Sequence, residues 1–193
     1  SRYIRTKTIR KYQGGYERMD EITFVIRLIS DNWSSASSTL LSRGDISSSN
    51  TNTPLFIDIR SIEPNRGNRV DVDQKAVIVF FEDSASLESP TIDHVARNET
   101  YGLTLHLRVL QRRNDDSTGL TFARDRLKDL YRVVRYILES KSLLPKVTDN
   151  SDNVEGKASM IKLTGRSEAN DRGKRLLGYK MSVELKRFAE CAD

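Results

Sequence analysis

Apolar positions between residues 19 and 33 recur every three or four residues, the spacing of one face of a helix. They are Met19, Ile22, Val25, Ile26, Ile29 and Trp33. Asp20 and Glu21 stand near the start, where acidic side chains favour the helix dipole. This pattern predicts an N-terminal helix, although the β-branched residues of 22–29 leave a strand as the alternative. Residues 34–54 repeat Ser, Thr and Asn and predict a long polar loop, whose Arg-Gly-Asp triplet we attribute to composition alone.

Five later segments predict strands. Leu55, Ile57 and Ile59 share the better-buried face of one strand, opposite Phe56, Asp58 and Arg60, and apolar and polar residues alternate over 101–111. Residues 75–81 are apolar on both faces, which is typical of the middle of a sheet. Residues 159–164 and 178–188 predict a final pair that forms an antiparallel hairpin.

The most regular helical pattern lies between residues 120 and 138 and ends before Pro145. Its apolar stripe must pack on another element, and the predicted sheet is the candidate. Several residues of 115–118 are able to cap its start. The apolar positions are Leu120, Leu127, Leu130, Val134, Ile137 and Leu138.

Two connections between the later elements are polar. Residues 145–156 predict a loop. The charged connection 165–175 is too long for a tight turn, so we expect it to project from the fold.

These elements predict an α+β fold of order α-β-β-β-α-β-β. It has one mainly antiparallel β-sheet of about five strands, with the long amphipathic helix packed on one face and a shorter N-terminal helix. The 193 residues suffice for one domain, which we place at 17–193 after a basic arm at 1–16. No segment has the pattern of a signal peptide or membrane span, and the single cysteine, Cys191, excludes an intrachain disulfide. We expect a protein made in the cytoplasm, with Ser1 exposed by loss of an initiator methionine.

Positive charge is concentrated in the arm. Five basic and no acidic residues precede Glu17, and the whole chain has a formal net charge of +5, so the remainder is neutral. Such an arm cannot bury enough apolar surface to order itself, which indicates a binding partner. The basic residues of the arm are Arg2, Arg5, Lys7, Arg10 and Lys11.

The long helix and the charged connection carry further candidate interaction residues. At 3.6 residues per turn, four basic residues of the helix fall within about 80° of one another, away from the apolar stripe. This basic ridge is either a solvated face neutralised by Asp125 and Asp129 or a docking surface. The ridge consists of Arg124, Lys128, Arg132 and Arg135, and the connection adds Arg166, Arg172, Lys174 and Arg175.

The residues that carry catalysis are sparse. The two histidines, His94 and His106, lie in no nucleophile motif, and neither a phosphate-binding loop nor a zinc or EF-hand spacing occurs. Asp58 together with residues 73–75 (Asp-Gln-Lys) is compatible with a magnesium-dependent nuclease, but Ile57 stands where such enzymes have proline. We therefore expect no enzyme, no catalytic residue, no metal and no cofactor.

Five segments carry a resemblance to a known family. They read "DEITFVIRLISDNW", "KAVIVFFEDS", "YGLTLHLRVLQRR", "ARDRLKDLYRVVRYILES" and "LLGYKMSVELKRF". In the order and hydrophobic pattern of these segments, residues 17–190 resemble the tail-terminator and tail-completion proteins of tailed bacteriophages. Those are small α/β proteins that close the head-proximal end of the tail tube as a ring, commonly a hexamer.

The resemblance implies a structural virion protein of the tail or neck. Its partners would be further copies in a ring, the tail tube protein, and a head-completion (stopper) or connector protein, with transient contact to passing DNA and none to a membrane. One alternative is a basic nucleic-acid-binding protein, which the pI of 9.3 and the basic ridge favour although no base-reading motif is present. Another neck or adaptor component of the virion is a second alternative.

Overall fold

Two helices and seven strands make up the part of the chain that the computed structural model describes, which is residues 19–58, 77–87, 96–111, 117–170, 173 and 175–190. The helices are α1 (Glu21–Ser42) and α2 (Ser117–Ser140). The strands are β1 (Leu55–Asp58), β2 (Val77–Leu87), β3 (Ala96–Leu110), β4 (Lys146–Thr148), β5 (Val154–Lys157), β6 (Met160–Glu168) and β7 (Leu176–Glu190). A short 3-10 turn spans Ser48–Asn50.

Five of these strands form one sheet in the order β1-β2-β3-β7-β6. β1 runs parallel to β2, and every other neighbouring pair is antiparallel. β4 and β5 form a separate antiparallel hairpin. The predicted α+β class and the antiparallel pairing of the last two long strands are confirmed. The fold therefore follows the predicted order of elements, with one extra hairpin inserted after α2.

Helix α1 is longer than predicted. It begins at the N-cap Asp20, whose carboxylate accepts hydrogen bonds from the backbone N–H groups of Ile22 and Thr23, so the strand alternative for 22–29 is wrong. The predicted loop 34–54 is also wrong over 34–42, which continue the helix. The reason is that Trp33, Ala36 and Leu40 extend the buried face at helical spacing, and tertiary burial outweighs the low helix propensity of the serines.

The hairpin of β4 and β5 corrects the predicted loop 145–156. Its turn is organised by Asp149, whose carboxylate accepts hydrogen bonds from Ser151 N, Asn153 N and Asn153 Nδ2. Arg27 of α1 donates to Glu155 Oε2 at 2.8 Å and to the Thr148 carbonyl at 3.0 Å, which attaches the hairpin to the body. Polar residues thus build an ordered turn where composition alone indicated an irregular loop.

Both helices share one hydrophobic core with the sheet. The apolar stripe of α2 packs on β3, β6 and β7, as predicted, while α1 contacts α2, β1, β2 and β4. The inward residues of the two long central strands are buried throughout. They are Leu103, Leu105, Leu107 and Val109 of β3 and Met181, Val183 and Leu185 of β7. Neither helix is long and apolar enough to cross a membrane, as judged over the described residues.

Residues 43–54 follow α1 and are fixed to α2. Asp129 is only 5% exposed, and its carboxylate accepts hydrogen bonds from Ser47 N at 3.0 Å and from Asn50 Nδ2 at 2.8 Å. Trp33 Nε1 donates to the Thr51 carbonyl at 3.0 Å, and Ile46 is buried in the core. This remainder of the predicted polar loop is therefore part of the body.

Candidate functional site

A β-bulge places Arg166 on the helix-covered side of the sheet. Leu163 of β6 pairs with the buried Val183 of β7, and regular alternation would direct Gly165 inward next. The register shifts between Leu163 and Gly165, so that Arg166 pairs with the fully buried Met181. The prediction that the whole of 165–175 projects as a loop is therefore wrong, because 165–168 belong to β6.

Two tyrosine rings hold the guanidinium of Arg166. Its central carbon lies 4.6 Å from the ring centroid of Tyr131 on α2 and 4.5 Å from that of Tyr179 on β7. The rings meet edge to face at 5.7 Å and 71°. Within the described part of the chain, the guanidinium makes no hydrogen bond or ion pair. Arg166 is therefore positioned by its aromatic neighbours while its hydrogen-bond donors stay open to a ligand.

The guanidinium opens into a groove of about 480 Å³ between α2 and β6, which we call the Tyr131 groove. Arg135 reaches it from α2. The floor and sides are Tyr131, Leu138, Ser142, Ile161, Leu163, Thr164 and Gly165, with Glu139 as the acidic member. Lys162 also borders the groove, but it follows the buried Ile161, so its side chain lies on the opposite face of the sheet, where its cross-strand partner is Glu184. Among these described residues, two cations, Arg135 and Arg166, face one carboxylate.

The carboxylate of Glu139 already forms an ion pair with a cation of the same helix. Arg135 Nε donates to Glu139 Oε1 at 2.7 Å, and this hydrogen bond raises the pKa of the Arg135 guanidinium above its ordinary value. Arg166 is therefore left with no carboxylate partner among the described residues of the groove, whose surplus charge is positive.

The groove exists because the chain comes from α2 and joins the sheet edge only at the bridge that follows the helix. Leu143 forms an antiparallel bridge with Met160, with hydrogen bonds from Leu144 N to the Ser159 carbonyl (3.0 Å) and from Ile161 N to the Ser142 carbonyl (2.9 Å). Residues before Ser142 rise into the helix instead of continuing along β6. Past Ile161, the edge of β6 therefore faces the groove.

The same junction presents two leucines to solvent. Leu143 is 76% exposed and Leu144 is 73% exposed. Leu144 has φ of 46°, a left-handed conformation that is costly for a branched side chain and is held here by the two hydrogen bonds of the bridge. An apolar pair held outward at a conformational cost is typical of a contact surface rather than of a chance exposure.

The predicted basic ridge does not act as one surface. Arg124 and Lys128 are exposed on α2. Arg132 donates to the Asp45 carbonyl at 2.8 Å and pairs with Asp129 Oδ1 at 3.1 Å, so it helps to hold residues 43–54. Arg135 belongs to the Tyr131 groove. The structure thus brings Arg135 and Arg166 together and assigns Arg132 to a structural role.

Of the other predicted interaction residues, the structure describes Arg175, which does not line the groove. Arg175 is exposed in a turn with φ of 52°, and its carbonyl accepts a hydrogen bond from Gln111 N. The remaining candidates lie outside the described residues. They are Arg2, Arg5, Lys7, Arg10, Lys11, Arg172 and Lys174.

The nuclease alternative gains no support from the described residues. Asp58 is buried at the end of β1, and residues 73–75 lie outside the described part of the chain. No group of three or more His, Cys, Asp or Glu side chains suited to a metal occurs among the residues that the structure describes.

Tyr131, Lys162, Tyr179 and the two exposed leucines were missed by sequence reasoning. One signal was present: an isolated glycine within a strand pattern, as at Gly165, indicates a bulge. The position of the bulge relative to α2 still had to come from the structure.

Comparison with known proteins adds no family. No protein-family model matches the chain, and no curated protein matches it significantly.

Proposed function

We propose that the protein is a structural subunit of a bacteriophage tail, a terminator that closes the head-proximal end of the tail tube as a ring, commonly a hexamer. Its partners in this role are neighbouring copies, the tube protein, and a stopper or connector protein. The observed succession of α1, three strands, α2 and a final pair of long strands supports the resemblance on which the proposal rests.

The observation that carries the assembly role is the exposed pair Leu143 and Leu144. Burying two leucine side chains at an interface stabilises it by roughly 3–6 kcal/mol before the costs of association. The left-handed backbone at Leu144 keeps the pair outward. A subunit that works only in an assembly has a use for such a surface, whereas an isolated domain gains nothing from it.

The Tyr131 groove also fits binding better than catalysis. It is an open channel lined by two arginines, and its single carboxylate is already paired with Arg135. Such a site recognises anionic side chains, because arginine presents fixed donors that match carboxylates.

The basic ridge no longer supports the nucleic-acid-binding alternative, because two of its four residues are engaged in other contacts. A stripe that tracks a phosphate backbone needs several unengaged cations. Arg132 is committed to Asp129 and the Asp45 carbonyl, and Arg135 is paired with Glu139. Arg124 and Lys128 alone make a weak electrostatic footprint.

Electron microscopy of assembled particles tests the proposed function. We expect a gold-labelled copy of the protein to lie at the head-proximal end of the tail, as part of a closed ring. Label on the capsid, along the tube, or absent from particles contradicts the proposal.

The arm separates the two functions. Removing residues 1–15 should abolish incorporation into particles if the arm contacts neighbouring proteins. Loss of salt-sensitive DNA affinity with incorporation unchanged favours the nucleic-acid alternative instead.

A double variant tests the assembly surface directly. Leu143→Ser with Leu144→Ser should retain the fold, because both side chains are largely exposed, and should lose ring formation. The matched control is Val154→Ser, which removes another exposed apolar side chain on the β4–β5 hairpin. Ring formation that survives in the double variant contradicts a role for the leucine pair.

A further inference from the structure

We infer that the Tyr131 groove binds an extended, acidic segment of a partner protein, which adds to β6 as an extra strand. The inference does not rest on the ring assignment, because it follows from the edge of β6 and from the charges that line the groove. Three observations carry it: an available strand edge, an internal precedent for pairing there, and an oriented arginine with no carboxylate partner among the described residues.

The first observation is the available edge. β6 is the last strand of the five-stranded sheet, and among the described residues it pairs with β7 and, at its start, with the Leu143 bridge. The Ile161 N–H donates away from β7, toward Ser142. Main-chain groups of alternate residues point to the same side of a strand, so Leu163 also directs its N–H and carbonyl outward, into the groove. No described residue occupies that position.

The second observation is that this edge already accepts a partner. Residues 142–144, which follow the end of α2, pair with it in antiparallel fashion through two hydrogen bonds. The space that α2 leaves beside Leu163 is the groove itself. A segment that enters there continues the ladder from the point at which the chain's own residues stop.

The third observation is charge. Arg166 is fixed between Tyr131 and Tyr179 with its hydrogen-bond donors unused by described residues. The tyrosines restrict the arginine side chain before any ligand arrives, which lowers the entropic cost of binding a carboxylate. The groove also offers Leu138, Ile161 and Leu163 as apolar lining. These features together favour an extended segment that carries both acidic and apolar residues.

The bulge and the inward arginine have a competing explanation. Both are devices by which proteins protect an edge strand against unwanted pairing. If they serve only that purpose, no peptide adds to β6, and removing the charge of Arg166 leads the protein to self-associate instead. The experiment below distinguishes the two explanations.

The test is a titration of the full chain with a fluorescein-labelled octapeptide of alternating glutamate and valine. We expect saturable binding, with amide shifts in NMR spectra confined to 161–168 and 131–142. Arg166→Gln should weaken the affinity about tenfold, the effect of losing one charge-assisted hydrogen bond. Lys157→Gln, which removes an exposed cation on β5, is the matched control and should leave the affinity within about twofold, since a distant rim charge contributes little.

Two further probes make the result decisive. The same peptide with every backbone nitrogen methylated cannot pair with a strand edge and should not bind, whereas equal binding of the methylated peptide overturns strand addition. Octathymidylate should bind weakly, and its affinity should be the same for the Arg166→Gln protein as for the unmodified protein. If it binds as tightly as the peptide and depends on Arg166, the groove is a general polyanion site and the inference is wrong. Failure of every probe to bind, with self-association of the Arg166→Gln protein, supports edge protection and also overturns the inference.

Discussion

Arg187 and Arg166 lie at opposite ends of the paired strands β6 and β7, both on the side that the helices cover. Each lies over an aromatic ring: Arg187 is 5.4 Å from the Phe24 centroid, and Arg166 is about 4.5 Å from two tyrosines. Arg187 is only 3% exposed and donates to the Met19 carbonyl at 2.6 Å and to Glu21 Oε1 at 3.3 Å. Arg166 is exposed and contacts the rings alone among described residues.

The difference lies in what covers each end of the sheet. The start of α1 lies over Arg187 and supplies a carbonyl and a carboxylate, so that charge is part of the structure. At the other end, α2 provides a ring and a groove, and Arg166 has no hydrogen-bond acceptor among the residues that the structure describes. An arginine that lies over an aromatic ring is therefore structural at the end of the sheet that the start of α1 covers. At the other end, which no helix start covers in the described part of the chain, the guanidinium of Arg166 is free to bind a ligand.

Replacing the two arginines by alanine should give the largest contrast. Arg187→Ala should lower the free energy of unfolding by about 3–5 kcal/mol, because it leaves buried acceptors without their charged donor. Arg166→Ala should cost about 1 kcal/mol or less, as expected for an exposed cation–π contact. Denaturant unfolding measures both, and equal losses would contradict the structural distinction. Lys186→Ala, at the half-exposed neighbouring position, controls for the loss of positive charge in β7.

Gly178 tests the strand geometry that supports the Arg166 end. A Cβ at this position would lie 2.8 Å from the Ala169 carbonyl oxygen and 2.9 Å from that of Leu107, and neither backbone group can move cheaply. Gly178→Ala should therefore destabilise the protein by about 3 kcal/mol, the upper part of the range for overpacking. Gly165→Ala is the matched control because its Cβ would enter open space, and thermal unfolding should show a much smaller shift. Similar shifts in the two variants would argue against the close approach at Gly178.

The carboxylates of α2 allow the same comparison between a buried, structural charge, Asp129, and an exposed one, Asp125. Asp129→Ala should cost about 2 kcal/mol, since it leaves the backbone N–H of Ser47 and the amide of Asn50 without their acceptor. Hydrogen exchange should show faster opening of 45–51 in this variant. Asp125→Ala, one of the exposed carboxylates on the same helix, should leave that exchange unchanged. Unaltered exchange in the Asp129 variant would show that residues 43–54 are held by Trp33 and Ile46 instead.

The smallest expected effect is the pH response of the β4–β5 turn. Hydrogen bonds from Asn153 and Ser151 lower the pKa of Asp149 below its ordinary value of 3.8. A lowered folded-state pKa means that the stabilisation is complete above the ordinary pKa and is lost as the pH falls through the folded-state value. The amide signals of Ser151 and Asn153 should therefore change below pH 3.8. Asp149→Asn should remove this response, and a persistent one would assign it to another group.

Much of the fold was predictable because its signals are local. The alternation over 101–111 and 178–188 predicted strands that the structure extends to Ala96–Leu110 and Leu176–Glu190. The stripe of α2 predicted both the helix and its packing on the sheet. Composition misled at 34–42 and 145–156, where serine-rich and polar segments form a helix and a hairpin. Burial of Trp33, Ala36 and Leu40, and the side-chain hydrogen bonds of Asp149, decided those cases.

The candidate site was predictable only in part. Arg135 and Arg166 were recognised as basic residues at the surface, but Arg166 was assigned to a projecting loop. Its true position depends on the bulge before Gly165 and on Tyr131 from another element. Helical spacing places Arg132 in the ridge. Its structural role is not visible in the sequence, because its contact with Asp45 spans 87 residues.

By itself, the sequence determined the class of fold, the order of the main elements, the neutral body and the concentration of positive charge in the arm, because these follow from periodicity and composition along the chain. The tertiary structure alone decided which charges are structural and which face a groove. Whether a side chain is buried, paired or open depends on groups that are distant in sequence, and one bulge in β6 was enough to turn Arg166 from the outer face to the Tyr131 groove.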